Sequence, residues 1–272
     1  MATCFHHPDR ETGRSCTRCG RPACPDCLQQ ASVGSQCFEC VREGQPPQSE
    51  RLRRKWRAAE LLGAKTLIGL NVVAFIAMSA SGGGNPMSGS SANLDWALYG
   101  PYVADGEWYR LVTSGFVHYG LLHLAMNMYI LYLVAVALER SAGTRRFLLI
   151  YAVSLLAGSF GALLIDPLAM TGGASGAVFG VAAATTVALH SRGVRFMDTG
   201  FGPLLLINVF LSFAIPQVSI GGHLGGLAGG TVAGYAMLHP RATSRTATAS
   251  ITAVAVISVV GALLVASQST PG

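Results

Sequence analysis

From about residue 64 onward the chain alternates long apolar blocks with short polar segments, the blocks lying over roughly 64–80, 117–138, 147–165, 174–189, 201–215, 220–237 and 250–267. A helix needs about 20 apolar residues, and at least about 17, to cross the hydrocarbon layer of a bilayer. Several blocks are short or rich in glycine, and any one of them alone would suit a buried helix of a soluble domain. The set as a whole excludes that reading, because too little polar sequence lies between the blocks to cover so large a core. The pattern predicts an all-α polytopic membrane protein.

The segment 81–116 breaks the pattern. It opens with the run SGGGNPMSGSS and continues through Trp96, Tyr99, Tyr102, Trp108 and Tyr109. Aromatic rings with a polar tip favour the membrane–water boundary, so an external loop lying partly in the interface is expected.

Residues 1–57 are of another kind, with all seven cysteines and more than half of the Lys and Arg. The expected organisation is a small metal-stabilised domain over 1–45, a basic linker over 46–63, a membrane domain over 64–240, and a loop with an additional transmembrane helix over 241–272. The first residues are polar and lack the apolar core of a cleavable signal peptide. Overall the chain is 51% hydrophobic and 12% charged, a membrane-protein balance. Its formal charge of +6 does not call for nucleic acid, because seven thiolates around two divalent ions would halve it.

Lys and Arg in short loops mark the side of the membrane that is not translocated. Arg51, Arg53, Arg54, Lys55 and Arg57 precede the first block, Arg140, Arg145 and Arg146 follow the second, Arg192 and Arg195 the fourth, and Arg241 and Arg245 the sixth. The opposite side carries only Arg110. This predicts a cytoplasmic N-terminus and an external C-terminus.

The cysteines form the pattern Cys4-x2-His7, Cys16-x2-Cys19, Cys24-x2-Cys27 and Cys37-x2-Cys40. Each pair suits one edge of a tetrahedral Zn²⁺ site, and four pairs supply the ligands of two ions. An odd number of cysteines disfavours a complete disulfide framework, and a cytoplasmic location is reducing. His7 completes the set by repeating the spacing, with His6 as its competitor. A redox Cys-x-x-Cys role lacks the surrounding βαβ pattern.

Three further segments carry chemistry. In 172-GGASGAVFG-180 the glycines allow close backbone approach to Ser175, and the start of a helix leaves N–H groups free to hold a negative oxygen. Helix packing through Gly176 and Gly180 is the simpler use of such a run. In 118-HYGLLHLAMN-127, His123 and Asn127 are four apart and share a helical face, while His118 falls off it and suits a loop anchor. Interhelical hydrogen bonding is the structural alternative. In 221-GGHLGGLAGG-230, Gly226 and Gly230 share the face of His223 and permit close approach of another helix. A serine beginning one glycine-rich span and a histidine in another can form a nucleophile–base dyad where the helices meet.

These segments, in this order, resemble the rhomboid family of intramembrane proteases. The resemblance covers roughly 60–240 and includes 107-EWYRLVTSGFVH-118, which is similar to the family's Trp-Arg loop. It implies a six-helix core plus a C-terminal seventh helix, with Ser175 as nucleophile, His223 as base, and His123, Asn127 and the Ser175 N–H as the oxyanion hole. It further implies cleavage of transmembrane protein substrates near the external face of a bacterial plasma membrane, with no cofactor in catalysis. Phe179 stands where a characterised bacterial member has Tyr, and Gly222 where Ala is common; neither is a reacting group. The N-terminal segment resembles B-box-like zinc modules, which implies the interleaved sets Cys4/His7 with Cys24/Cys27 and Cys16/Cys19 with Cys37/Cys40, although spacing alone also allows sequential pairing. A cytoplasmic protein partner of this module is a further expectation. Rival readings are a non-cleaving rhomboid-like binder of membrane helices, an adaptor or ubiquitin-ligase-like zinc module on a membrane anchor, and a zinc metalloprotease, for which the spans lack HExxH.

Overall fold

The computed structural model describes residues 2–31, 33–44, 61–81, 95–198, 202–203, 206–207, 210 and 218–269. The chain divides into two compact units, Met1–Ala59 and Glu60–Gly272.

The first unit contains two short antiparallel ribbons, β1 (Ala2–Thr3) with β2 (Glu11–Thr12), and β3 (Leu28–Gln30) with β4 (Ser35–Cys37). The short helix α1 (Phe38–Glu43) follows. Gly34 turns the second ribbon at φ +68°. Among the described residues its interior is made of cysteines, Ala23, Thr12, and the partly buried Phe5 and Leu28. So small an apolar cluster contributes little by burial, and a metal would add to it.

The second unit is helical. Its described helices are α2 (Leu62–Ser81), α3 (Gly100–Ala104), α4 (Arg110–Thr113), α5 (Leu121–Ala142), α6 (Thr144–Ile165), α7 (Ser175–His190), α8 (Ile220–Leu238) and α9 (Ser244–Ser267). Four of these, α2, α5, α6 and α9, are long and apolar enough to cross a membrane, and α7 is a shorter apolar helix. The chain is a multi-pass membrane protein. The block expected over 201–215 and the loop stretch 82–94 fall largely or wholly outside the described residues.

Glycine organises the centre. α8 holds seven glycines in two stripes. On one, a Cβ at Gly226 would collide with the Gly176 carbonyl oxygen and a Cβ at Gly230 with that of Gly180, both on α7. On the other, Gly221 and Gly225 meet the carbonyls of Gly161 and Ala157 on α6 in the same way. Small residues let helix backbones touch where lipid gives no hydrophobic drive to association. α8 is thereby held between α6 and α7, and its apolarity is diluted by the residues that pack it.

Two boundaries differ from those expected. The second span begins at Leu121 rather than near 117, because Gly120 adopts φ +126° and breaks the chain just before it. His118 therefore lies ahead of the helix, and its position is set by the loop and not by a helical wheel. The same span continues to Ala142 and turns into α6 at Gly143, φ +88°, so that Arg140 lies in its last turn and Arg145 and Arg146 in the first turn of α6. Glu139 makes this possible. Buried to 2% exposure, its carboxyl oxygens accept from the Gly63 and Ala64 N–H groups at 2.7 and 2.9 Å, and one also accepts from the Thr144 hydroxyl at 2.7 Å. Those N–H groups open α2 and have no acceptor within their own helix. α9 likewise starts earlier than the apolar pattern, at Ser244, where Thr243 and Thr246 form a reciprocal cap.

The segment 95–116 is an ordered structure against the helices. Leu98 and Thr171 exchange backbone hydrogen bonds, and Leu98, Val103 and Leu111 pack with Ala162 and Leu163 of α6 and Ala262 and Ala266 of α9. Trp96 and Trp108 remain exposed, as an interfacial loop requires.

Candidate functional site

Ser175 is the first residue of α7. Its Oγ lies 2.7 Å from His223 Nε2, a side-chain hydrogen bond linking residues 48 apart in sequence. The contact depends on the glycine stripes, since Gly176 and Gly226 meet just beyond the two polar residues. The His223 ring stacks on Phe179, one turn after Ser175, with centroids 4.2 Å apart and planes at 27°. Ser219 caps α8 by accepting from the Gly222 N–H at 3.1 Å, and the His223 N–H reaches the Ser219 carbonyl at 3.2 Å. The imidazole is thus fixed by its helix, by a flat apolar neighbour and by the serine.

The residue two before the serine, Gly173, sits at φ +137° and donates its N–H to the Ser114 carbonyl at 2.9 Å. A Cβ there would stand 3.0 Å from His123 Nε2 and 3.7 Å from Ser175 Oγ. Both the backbone angle and the approach of His123 therefore ask for glycine. His123 Nδ1 accepts from the Tyr119 N–H at 3.5 Å, an arrangement that leaves Nε2 as the donor nitrogen of a neutral ring. Asn127, one turn further along α5, is buried, and its Nδ2 has no hydrogen-bond partner among the described residues. His118 is buried to 1% exposure with its ring 5.1 Å from that of His123, so it borders the site from the loop. The first N–H groups of α7, from Ser175 onward, have no acceptors within the helix. The Ser175 hydroxyl, the His223 ring and His123 thus come together beside Gly173.

In the first unit, ligand atoms of Cys4, His7, Cys24 and Cys27 all lie within 4.8 Å of one another, as do those of Cys16, Cys19, Cys37 and Cys40. His7 Nδ1 is 3.8, 3.5 and 3.3 Å from the sulfurs of Cys4, Cys24 and Cys27, and Cys19 Sγ is 3.8 Å from Cys37 Sγ. A tetrahedron with Zn–S of about 2.3 Å has edges of about 3.8 Å, slightly less to nitrogen, so the donor sets fit such an ion. The cysteines are all free thiols. The grouping is the interleaved one, and His6 turns instead to Glu39 at 3.8 Å. Outside the sulfurs, the Cys37 N–H donates to Cys16 Sγ at 3.2 Å and Arg21 Nε to Cys19 Sγ at 3.4 Å, the outer contacts that orient thiolate ligands.

A comparison with known families matches the rhomboid domain to residues 105–240, half of the chain. The chain belongs to the rhomboid family. Rhomboid protease GluP of Bacillus subtilis (strain 168) is 40% identical over 143 residues, covering 52% of this chain and 28% of that protein. A second Bacillus subtilis relative, YdcA, is 38% identical over 137 residues, 47% of this chain and 66% of the relative. Rhomboid-like protease 3 of Toxoplasma gondii is 33% identical over 141 residues, 49% and 53% of the two chains. The chain thus spans only part of the length of each of these relatives.

The rhomboid match holds Ser175, His223, His123 and Asn127, and leaves the cysteine clusters outside it. It also holds two residues that the sequence did not single out as structural. Glu139 is one. Arg110 is the other: only 3% exposed, it donates from Nε to Glu107 at 2.7 Å and from Nη1 to the Ala97 carbonyl at 2.8 Å, its guanidinium over the Tyr102 ring. The Tyr109 hydroxyl and Arg110 hold the Glu107 carboxyl below its usual pKa. The Glu107-x-x-Arg110 spacing was the available signal. This knot fixes the rhomboid loop whose continuation, Ser114, supports Gly173.

Proposed function

We propose that this rhomboid-family chain is an intramembrane serine endopeptidase that cleaves transmembrane segments of membrane proteins through a Ser175–His223 dyad. The observation that carries the proposal is the 2.7 Å contact between Ser175 Oγ and His223 Nε2 inside the helical core.

In the first step His223 Nε2 takes the hydroxyl proton as Ser175 Oγ attacks the scissile carbonyl carbon. The carbonyl oxygen becomes negative and is held by the Ser175 N–H, His123 Nε2–H and the Asn127 amide. The Asn127 Nδ2 and the His123 tautomer support this assignment, because both are donors with no acceptor among the described residues. Collapse of the tetrahedral species breaks the C–N bond, and His223 returns its proton to the leaving amine. Water, with His223 again as base, then hydrolyses the acyl-enzyme and restores Ser175. The chemistry needs no cofactor.

The 16 residues of α7 rise about 24 Å, less than a hydrocarbon layer of about 30 Å. With Arg192 and Arg195 following α7 on the untranslocated side, Ser175 lies below the opposite, external surface. The same charge bias sets a cytoplasmic N-terminus and external C-terminus in a bacterial plasma membrane. Cleavage occurs near the external face, where a substrate helix must unwind to present its carbonyl. The N-terminal clusters hold two structural Zn²⁺ ions in a B-box-like module over residues 1–45, a cytoplasmic docking unit separate from the dyad. Reconstituted protein and a single-span model substrate test the activity: cleavage by wild type and none by Ser175→Ala is expected, whereas equal cleavage by both removes the dyad.

A further inference from the structure

The two donor sets of the first unit share a spacing and differ in exposure. In one, Cys4, Cys24 and Cys27 are buried and the half-buried His7 is the fourth donor. In the other all four donors are thiols; Cys16, Cys37 and Cys40 are at most 3% exposed, whereas Cys19 is the exposed cysteine among the described residues. Around a divalent ion four thiolates carry one more negative charge than three thiolates and an imidazole, so the second set is the richer in electrons. Cys19 Sγ lies 3.8 Å from Cys37 Sγ and accepts from Arg21 Nε at 3.4 Å. Arg21 is held in turn by its ion pair with Glu39 and by its place over the Phe5 ring, 4.4 Å from the centroid.

We propose that Cys19 is an oxidation site: a peroxide reacts there first, and Cys37 resolves the product to a disulfide that dismantles the second donor set while the first stays intact. The inference rests on the zinc reading of these sets and is independent of the Ser175–His223 pair. Metal coordination keeps a thiol ionised, and attack by oxidants follows thiolate character, solvent access and the nearness of a second thiol. Cys19 alone combines the three among the described cysteines. Its thiolate attacks one oxygen of the peroxide; the O–O bond breaks, hydroxide leaves, and the sulfur becomes a sulfenic acid. The Cys37 thiolate then attacks that sulfur, forming the S–S bond and expelling a second hydroxide. The two sulfurs lose two electrons and the peroxide gains them. Cys16 and Cys40 remain, too few for a tetrahedral ion, so β4, which ends at Cys37, and α1, which carries Cys40, lose their shared tie to the Cys16–Cys19 loop. In a reducing compartment such a disulfide is transient, so the change is reversible.

The test uses the full chain in detergent, purified with its zinc and treated with a small excess of hydrogen peroxide. Released zinc is followed with a dye too weak to strip the untreated protein, and disulfides are located by peptide mass spectrometry. One ion per chain should leave while the other stays, and the first disulfide should join Cys19 to Cys37; dithiothreitol with added zinc should restore the site. Cys19→His keeps a fourth donor of the kind His7 supplies in the first set, and should hold its ion against peroxide. Arg21→Ala removes a hydrogen bond from the thiolate, which leaves the sulfur more nucleophilic, and should release zinc several-fold faster; this variant decides should Cys19→His not hold two ions. Both ions leaving together, a first disulfide without Cys19, or wild-type release from either folded variant overturns the proposal. Metal content before treatment tests the zinc reading by itself: a folded, zinc-free chain refutes that reading, and the position of the first disulfide still decides this one.

Discussion

Gly226 of α8 lies against the carbonyl oxygen of Gly176 on α7, with no room for a Cβ between the two backbones. Gly176 follows the proposed nucleophile and Gly226 stands three residues beyond the proposed base, so this contact sets how far apart the two side chains are. Gly226→Ala should therefore separate α7 from α8. A loss of about 1–3 kcal/mol is expected from the overpacking, with a larger loss of turnover because Oγ and Nε2 move out of hydrogen-bond range. Gly69→Ala is the control, since a Cβ there meets nothing within 4 Å. Thermal melts and cleavage rates of the two variants check this, and an active, stable Gly226→Ala protein would show that the helices have slack.

Asn127→Ala should lower kcat with little change in KM. The expected size is that of one lost oxyanion donor, about 2.7–4 kcal/mol, or roughly 10²–10³ in rate. His118→Ala should act chiefly through stability, because His118 is a buried loop residue beside His123. Steady-state kinetics on folded protein separates the two, and wild-type kcat for Asn127→Ala contradicts its assignment.

Glu139→Ala should destabilise the membrane domain. It strips the acceptor from the Gly63 and Ala64 N–H groups, at a cost of about 1–3 kcal/mol for each donor left buried. Glu139→Gln retains one acceptor oxygen and should recover part of the loss. Midpoints of unfolding in a fixed detergent provide the measurement; a neutral Glu139→Ala would mean that water or lipid replaces the carboxyl group.

Metal analysis should find about two zinc ions per chain, and chelation should unfold the first unit, since a core made mainly of thiols has little else to hold it. Deletion of residues 1–45 should leave intrinsic cleavage intact, because the proposed dyad and oxyanion donors belong to the second unit. A folded, zinc-free first unit refutes the metal assignment, and loss of cleavage by a well-folded truncation makes the module a regulator of the protease.

What the sequence made legible follows from how local each signal is. Helical class, the cysteine pairs and the glycine runs are periodic or closely spaced, and they can be read from a few residues. Interleaving of the two cysteine groups was open on spacing alone, because Cys16 meets Cys37 only through tertiary contacts, Thr17 N–H to the Ser35 carbonyl and Cys37 N–H to Cys16 Sγ. Glu139 reads as a loop charge beside Arg140, and only the start of α2, some 75 residues earlier, explains its burial in a helix. α7 and α8 are blurred for the opposite reason: the small residues that pack their backbones also shorten or dilute the apolar signal by which spans are recognised. Ser175 and His223 stand out as polar residues in glycine-rich apolar segments, yet their 2.7 Å contact is a tertiary fact set by those same glycines.

The central claim is that Ser175 and His223 act together on a peptide bond inside the membrane. It is tested most directly by following cleavage of a single-span substrate in proteoliposomes by wild type, Ser175→Ala, His223→Ala and the double variant, each confirmed folded. Wild type should cleave near the external end of the span, and the single variants should fall to the same background as the double variant, since residues acting as one unit are not additive. Undiminished proteolysis by either folded single variant would contradict the account and place the reacting groups elsewhere.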